Sequence, residues 1–494
     1  MIPSAGLLEL LRAELPGGAE RRLLLVPPAL ADWAESHGAR ALGARPAVVG
    51  PGEDLGAALA GEGGEGGWHA IVSLFAGDAA AGAGAPGGGL AAALRRGLRE
   101  GGRALVATDL ATIEPVGMGE PPPYEGLVAA LGENRLLIRK ELRPDGSALP
   151  WDGHRRSGAP AGPTVVVAEA HRLTVRGYRA GDEQALVELF RRSFHAERSL
   201  AYWRWRYQDH PYGSHRISLV VDPAGRPLAQ YAAYPALWWD GRERRHLRAH
   251  QIGDIMSAPE ARGRGRGRTS VLAQAARHFY AAHCWGRVDF DYGFHTAASR
   301  GFSNRFLAVV DPEPVPFRTA RPEGFAPAAV RGYRVRPLAA AGPALDGLWR
   351  RARGDYGRLA VRDRRYLEWR YFRRPDVRYL VLGVFRWRRL VGWSVFRRRD
   401  GVLAWVDALF RRRAAPAAGL TVAAAVERLG GGSRVVAWFP PRPGWWHREL
   451  EGLGFAGETE PDGLDLGIVC FSEPTDPEGF RRDLYYTMGD SDLF

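Results

Sequence analysis

The segment MSAPEARGRGRGRTSVL (residues 256–272) decides how the chain is interpreted, because residues 262–268 alternate strictly between arginine and glycine. The preceding AHQIGDIMSAP (249–259) is apolar enough for a strand and contains a proline near its end. The following TSVLAQAARHFYAAH (269–283) has apolar residues at helical spacing. A strand, a glycine-rich turn and a helix in this order aim successive backbone N–H groups at an anion, and the helix dipole adds partial positive charge.

The residue types of this turn suit a phosphate-bearing ligand. Gly265 and Gly267 would let the backbone approach a pyrophosphate without interference from a Cβ atom. The arginines could add charge-assisted contacts to a phosphorylated ribose, and they are Arg262, Arg264, Arg266 and Arg268. Arg-Gly segments that bind RNA are usually long, disordered and interleaved with aromatics, so we expect no nucleic-acid partner.

Composition indicates a cytoplasmic protein of two to four domains. The chain has 494 residues, 46% of them hydrophobic and 25% charged, with no uncharged apolar run that could span a bilayer and no secretory signal. Cys284 and Cys470 are the two cysteines, which suits a reducing compartment and argues against a structural zinc. The net charge is +13, yet Lys140 is the only lysine, so we attribute the excess arginine to compositional bias.

Residues 1–143 alternate strand-like and helical runs, which predicts a Rossmann-like, mostly parallel sheet. The predicted strands cover residues 21–28, 45–50, 68–76, 103–110 and 134–143. The passage from 69 to 109 resembles the later strands of class I methyltransferases. No glycine-rich loop follows the first strand, so we expect this domain to bind no cofactor. Residues 144–170 and 316–330 are rich in proline and glycine and are predicted linkers.

An internal repeat occupies most of the remaining chain. AYWRWRYQDHP (201–211) and RYLEWRYFRRP (365–375) share Y-x-x-W-R-Y-x-x-x-P at an offset of 164 residues. We interpret the tryptophan and tyrosine as buried anchors and the arginine as reaching outward. The similar order of helices and hairpins around both segments favours duplication of one domain. We call residues 171–315 the first copy and residues 331–475 the second copy.

The first copy resembles the GNAT superfamily of GCN5-related N-acetyltransferases. The run from Arg262 to Gly267 resembles its Q/R-x-x-G-x-G/A signature, and SAPEAR before it resembles the usual strand exit. RVDFDYGFHTAAS (287–299) resembles the fifth strand of that superfamily. The resemblance implies an α/β chain in which a Rossmann-like domain precedes two GNAT-type mixed α/β domains in tandem.

The resemblance also implies an enzyme that transfers an acyl group from acetyl-CoA, or another acyl-CoA, directly to the amine of a small molecule, without a metal. The N–H groups of residues 263–268 would hold the pyrophosphate, with Gly263 among them. The splayed strand around Ile255, Met256 and Ser257 would pair with the pantetheine arm, and one N–H there would stabilise the oxyanion.

Acid–base chemistry has several candidates. Asp254 is the first candidate for the base and His250 the second, although either side chain could be structural. The tyrosine that the superfamily often uses as the acid is missing from the helix after residue 299. Tyr292, His295 or solvent would then protonate the leaving thiolate.

The second copy lacks the glycine signature, because its matching turn reads RRRAAPAAGL (411–420) and Pro416 removes a donor N–H. We therefore predict that it binds no CoA and shapes the acceptor pocket. The tail, residues 476–494, is predicted to pack between the copies. Alternatively, Asp490, Asp492 or the terminal carboxylate binds a cationic amine.

One rival interpretation belongs to a different functional class. The tandem domains would have lost catalysis and would form a CoA-binding or scaffold protein. CoA exchange without acceptor-dependent CoA release would favour it. The sequence predicts no membrane partner and no particular oligomeric state.

Overall fold

The computed structural model describes a defined set of residues. They are 5–15, 22–26, 30, 34–35, 39–42, 44–48, 68–73, 88–109, 123–143, 145–149, 163–307, 309–325, 330–471 and 477–494. The helices predicted between the first three strands lie largely outside them. Three sheets with helices between and around them confirm the predicted α/β class.

The first sheet has the strand order β2-β1-β3-β4-β6-β5, in which β6 runs antiparallel between β4 and β5. Its strands are β1 (Arg22–Val26), β2 (Arg45–Val48), β3 (Trp68–Ser73), β4 (Leu98–Asp109), β5 (Leu136–Leu142) and β6 (Pro163–Ala170). Its helices are α1 (Ala5–Glu14), α2 (Ala39–Leu42), α3 (Gly88–Gly97) and α4 (Pro123–Glu133). Leu23 and Leu24 belong to different core clusters, so both faces of the sheet are covered.

Strand β6 corrects the predicted linker 144–170. Its β-branched core, TVVV (164–167), pairs along both β4 and β5, so the sheet ends only at residue 170. The proline- and glycine-rich residues before it obscured a strand whose partners lie far away in sequence.

The second sheet contains most of the first copy. Its strands include β7 (Thr174–Gly177), β8 (Arg216–Val221), β9 (Pro227–Asp240), β10 (Arg245–Ser257), β11 (Phe290–His295) and β12 (Val310–Pro314). The helices of this copy are α5 (Glu183–Phe194), α6 (Leu200–Tyr207), α7 (Val271–Phe279) and α8 (Ala297–Phe306). Gln274 of α7 bonds both backbone groups of Ile138, which caps the edge strand of the first sheet.

The remaining strands and helices form the second copy and the tail. The strands are β13 (Phe317–Ala320), β14 (Tyr333–Pro337), β15 (Arg358–Ala360), β16 (Leu380–Arg386), β17 (Arg389–Arg399), β18 (Val402–Phe410), β19 (Val435–Trp438), β20 (Ala456–Gly457), β21 (Asp465–Cys470) and β22 (Leu484–Tyr485). The helices are α9 (Ala344–Ala352), α10 (Arg364–Leu367), α11 (Ala418–Leu429), α12 (Gly444–Gly452) and α13 (Pro477–Arg482).

The two copies exchange strands. Strand β21 lies between β11 and β12 of the second sheet, although it belongs to the second copy in sequence. Strand β13 lies within the predicted linker 316–330 and pairs with β19 and β20 of the third sheet. Neither sheet is complete without a strand from the other half of the chain, so the copies fold as partners.

The repeated W-R-Y segments meet each other. The rings of Trp205 and Trp369 stack with centroids 4.7 Å apart at 9°. Each indole N–H donates to the carbonyl of the other tryptophan at 2.8 Å, which is the reciprocity of a twofold interface. The expectation that the arginines reach outward is wrong, because Arg206 and Arg370 are each 1% exposed. Both find charged or carbonyl partners inside the protein.

Candidate functional site

The arginine–glycine turn connects β10 to α7, and some of its N–H groups donate to acceptors just before or just after it. The N–H groups of Arg262 and Arg264 donate to carbonyls of residues 259 and 261 at 3.2 Å. The N–H of Arg266 donates to the hydroxyl of Thr269 at 3.1 Å. Two of the N–H groups predicted to hold the pyrophosphate, those of Arg264 and Arg266, are therefore already bonded.

The three glycines of the turn alternate with the arginines whose N–H groups are bonded. Gly263, Gly265 and Gly267 have φ angles of +82°, +72° and +55°, which L side chains rarely adopt. Within the described part of the chain, no acceptor bonds their N–H groups. A Cβ on Gly263 would meet open space, whereas a Cβ on Gly265 would overlap the carbonyl of Thr269. The turn therefore offers three amides to a ligand.

The arginine side chains of the turn divide into two groups. Arg262 donates to the carbonyl of Ser193, and Arg268 donates to the carbonyl of Leu149, so both brace the turn against neighbouring elements. Arg264 and Arg266 are exposed and form no ion pair with any described residue. These two guanidinium groups are available to an anion held by the glycine amides.

Strand β10 separates from β11 just before the turn. Their parallel pairing ends at Ile252 and Gly293, while β10 continues to Ser257 alongside β9. A bulge between Gly253 and Met256 produces the bend, and Asp254 in it has a φ of +53°. Residues 253–257, which include the predicted Ile255, Met256 and Ser257, thus continue beside β9 without pairing to β11 and lead directly into the turn.

Asp254 lies in this bulge and is surrounded by donors. It forms an ion pair with Arg198, accepts a hydrogen bond from the Tyr207 hydroxyl at 2.6 Å and lies 3.5 Å from Arg206. Burial by itself raises the pKa of Asp254, but the charges of Arg198 and Arg206 lower it to about 2. A carboxylate held in this way is a weak base and a strong structural anchor.

His250 points to the opposite side, into a buried group with Cys284 and Asp291. The Nδ1 atom of His250 lies 3.0 Å from one oxygen of Asp291, and the Cys284 thiol donates to the other at 3.2 Å. Their potential ligand atoms lie within 4.8 Å of one another, and they form the one such group among the described residues. Burial and the neighbouring carboxylate raise the pKa of the Cys284 thiol, so these contacts form a saturated hydrogen-bond network.

The two candidates for the acid lie on β11. Tyr292 packs against Trp238, and burial raises the pKa of its hydroxyl well above the usual value. His295 lies 3.1 Å from the Ser303 hydroxyl, and burial together with Arg300 lowers its pKa to about 4. At neutral pH neither group exchanges protons readily.

The corresponding edge of the second copy is filled by side chains. Strand β18 leaves β19 after Trp405 and continues to Phe410. The Tyr356 hydroxyl bonds both backbone groups of Phe410 at 3.1 and 2.9 Å, and the Tyr485 hydroxyl donates to the carbonyl of Ala408 at 2.9 Å. The turn after β18 is a short 3-10 helix, Arg412–Ala417. In the described structure this cleft has neither a free strand edge nor a glycine-rich turn.

The tail lies between the two copies. Asp490 pairs with Arg362 at 2.5 Å, and Asp492 pairs with Arg206 at 3.1 Å. Burial raises the pKa of Asp490 to about 6 against the charge of Arg362. Both acids considered for binding an amine are therefore partners of buried arginines.

Arg198 and Arg362 were not singled out from the sequence. Matching positions of the two copies carry matching residues, which are Arg198 and Arg362, Tyr207 and Tyr371, Arg206 and Arg370. Asp407 accepts from the Tyr371 hydroxyl at 2.6 Å, as Asp254 does from Tyr207. Extending the repeat four residues before its first tyrosine would have found the first of these pairs.

No protein-family model and no curated protein sequence matches the chain. Its structure is similar to a GCN5-related N-acetyltransferase from Kribbella flavida, with 17% identity over 60% of this chain and 70% of that chain and a TM-score of 0.45.

A GCN5-related N-acetyltransferase from Anabaena variabilis ATCC 29413 shows 12% identity, coverage of 61% and 73%, and a TM-score of 0.46. Saccharomyces cerevisiae N-myristoyltransferase with bound myristoyl-CoA shows 9% identity, coverage of 60% and 82%, and a TM-score of 0.41. At TM-scores this low the similarities carry no argument about this chain. Among the described residues, no helix has the length and apolar character needed to cross a bilayer.

Proposed function

We propose that the chain is an acyl-CoA-dependent N-acyltransferase of GNAT type. It transfers the acyl group of acetyl-CoA, or of another acyl-CoA, directly to the amine of a small molecule. The observation that carries this proposal is the continuity of two features. A strand edge opens at residue 253, and it leads into a turn with three glycine amides that have no acceptor among the described residues.

The substrate would lie along these features. The diphosphate of the donor faces the amides of Gly263, Gly265 and Gly267, and Arg264 and Arg266 neutralise its charge. The pantetheine arm follows the open edge of residues 253–257. A backbone N–H of that edge polarises the thioester carbonyl, an effect typically worth about 3–4 kcal/mol in the transition state.

The proposal assigns no side chain as general base. Asp254 is neutralised by arginines, His250 is bonded to Asp291, and His295 remains neutral. Solvent would therefore take the proton of the amine. We expect kcat/KM to rise with pH up to the pKa of the acceptor amine, without an earlier plateau.

A second candidate function is a CoA-binding protein without catalysis. The contacts of the acid–base candidates favour this function, because each candidate residue already forms a hydrogen bond, an ion pair or a packing contact within the fold. The two candidates differ in one measurable property, namely whether an amine accelerates release of the CoA thiol.

The test is a thiol-release assay with acetyl-CoA and a panel of amines. Gly263→Asp would place a carboxylate beside the diphosphate, and we expect KM for acetyl-CoA to rise by about tenfold or more. Gly225→Asp is the matched control, since Gly225 has a φ of +81° and open space around it. Equal KM in both variants would contradict the donor site. Acetyl-CoA binding without amine-dependent release would support the second candidate function.

A further inference from the structure

A groove on the second copy collects positive charge without matching negative charge. It has a volume of about 860 Å³ and lies between α9, the β16–β17 hairpin and the turn after β18. Six arginines line it, and they are Arg351, Arg386, Arg388, Arg389, Arg411 and Arg413. In the described structure only Arg411 pairs with a carboxylate, that of Asp355 at 3.0 Å.

The first copy shows how such charges are normally paired. Arg192, at the end of α5, pairs with Glu260, which lies in the turn after β10, at 2.6 Å. Arg351 occupies the corresponding end of α9 and instead donates to the carbonyl of Leu390. Burial lowers the pKa of Arg351, and the nearby charges of Arg389 and Arg411 lower it further. Arg351 therefore lies among cations in this groove, without the carboxylate partner that Arg192 has in the first copy.

An exposed tryptophan lies at the rim of the groove. Trp387 is 85% exposed and begins the two-residue loop of the β16–β17 hairpin. Its φ of +57° is a conformation that bulky residues rarely adopt and that costs about 1–3 kcal/mol. The equivalent hairpin of the first copy uses Gly225 for its positive φ and pairs Asp222 with Arg226. The second copy thus holds an indole ring in solvent beside unpaired guanidinium groups.

We propose that this groove binds a nucleoside polyphosphate at a site separate from the acyl-CoA cleft. The phosphate groups contact Arg388, Arg389 and Arg413, whose planar forks match phosphate oxygens. The base stacks on the indole of Trp387, an interaction that tolerates any base. The filled strand edge of this copy leaves no path for a pantetheine arm, so the ligand ends at its phosphates.

The experiment titrates ATP and, separately, tripolyphosphate into the full chain by calorimetry in the presence of excess acetyl-CoA. We expect one ATP site per chain. Replacing Arg388 and Arg389 by alanine should weaken both ligands by about tenfold or more. The control replaces the exposed Arg204 and Arg428, which lie outside the groove, and should leave both affinities unchanged.

Trp387→Gly separates stacking from folding, because glycine suits the positive φ and should not destabilise the hairpin. It should weaken ATP by about tenfold while leaving tripolyphosphate unchanged. The proposal is overturned if ATP does not bind, if the arginine variant binds ATP normally, or if ATP binds no better than tripolyphosphate. Tighter binding of a single-stranded oligonucleotide than of ATP would also overturn it. None of these outcomes depends on acetyl-CoA turnover.

Discussion

The corresponding strand edges of the two copies have different surroundings. In the first copy, residues 253–257 lose their pairing with β11 and lead into a glycine-rich turn, and side chains bond the carbonyls of Asp254 and Ser257. In the second copy, the hydroxyls of Tyr356 and Tyr485 bond the edge that ends at Phe410. The same fold therefore carries a candidate donor site once. In the other copy, two tyrosine hydroxyls and a proline-containing turn occupy the corresponding positions.

The aspartate on each strand has equivalent hydrogen-bond and ion-pair partners in the two copies. Asp254 and Asp407 each accept a tyrosine hydroxyl and pair with a buried arginine. The two strand edges differ while these contacts are equivalent, which indicates that both aspartates stabilise the fold.

The largest expected effect tests this equivalence. Asp254→Asn and Asp407→Asn should each lower the free energy of unfolding by about 3 kcal/mol, because each removes one of the two carboxylates that neutralise a buried arginine. Chemical denaturation of both variants provides the measurement. A loss in activity at Asp254 with unchanged stability would instead restore the aspartate as a catalytic base.

A smaller effect concerns pH. The folded state lowers the pKa of Asp254 to about 2, so the unfolded state binds the proton more readily. The stability contributed by this group is present above the ordinary pKa of an aspartate and is lost as pH falls toward 2. We expect about 2 kcal/mol of stability to disappear between pH 4 and pH 2. Asp254→Asn should flatten this part of the stability profile, and an identical slope in both proteins would contradict the pairing.

The smallest effect is expected from Pro416→Ala. The substitution returns an N–H to the turn of the second copy but leaves Tyr356 and Tyr485 on the strand edge. The stoichiometry of CoA should therefore remain one per chain in calorimetry. A second CoA site in this variant would show that the proline alone closed the cleft.

Local patterns explain what the sequence predicted well. The apolar run before Ser257, the glycines at 263, 265 and 267, and the helical spacing after residue 270 all act over short distances. They sufficed to predict β10, the turn and α7. The hairpin strands β8, β9, β16 and β17 were predicted for the same reason.

The features that the sequence did not reveal depend on distant partners. The exchange of β13 and β21 joins segments that no local pattern connects. The burial of Arg206 becomes favourable only because Asp254 and Asp492 arrive from elsewhere in the chain. The same holds for the pairing of Asp291 with His250, the second candidate for the base.

Amide hydrogen exchange with and without CoA tests the central claim most directly, because it separates the two clefts in one sample. The account predicts new protection at residues 253–268 and none at residues 406–417. Protection confined to the second copy, or unchanged exchange at Gly263, Gly265 and Gly267 under saturating CoA, would contradict it.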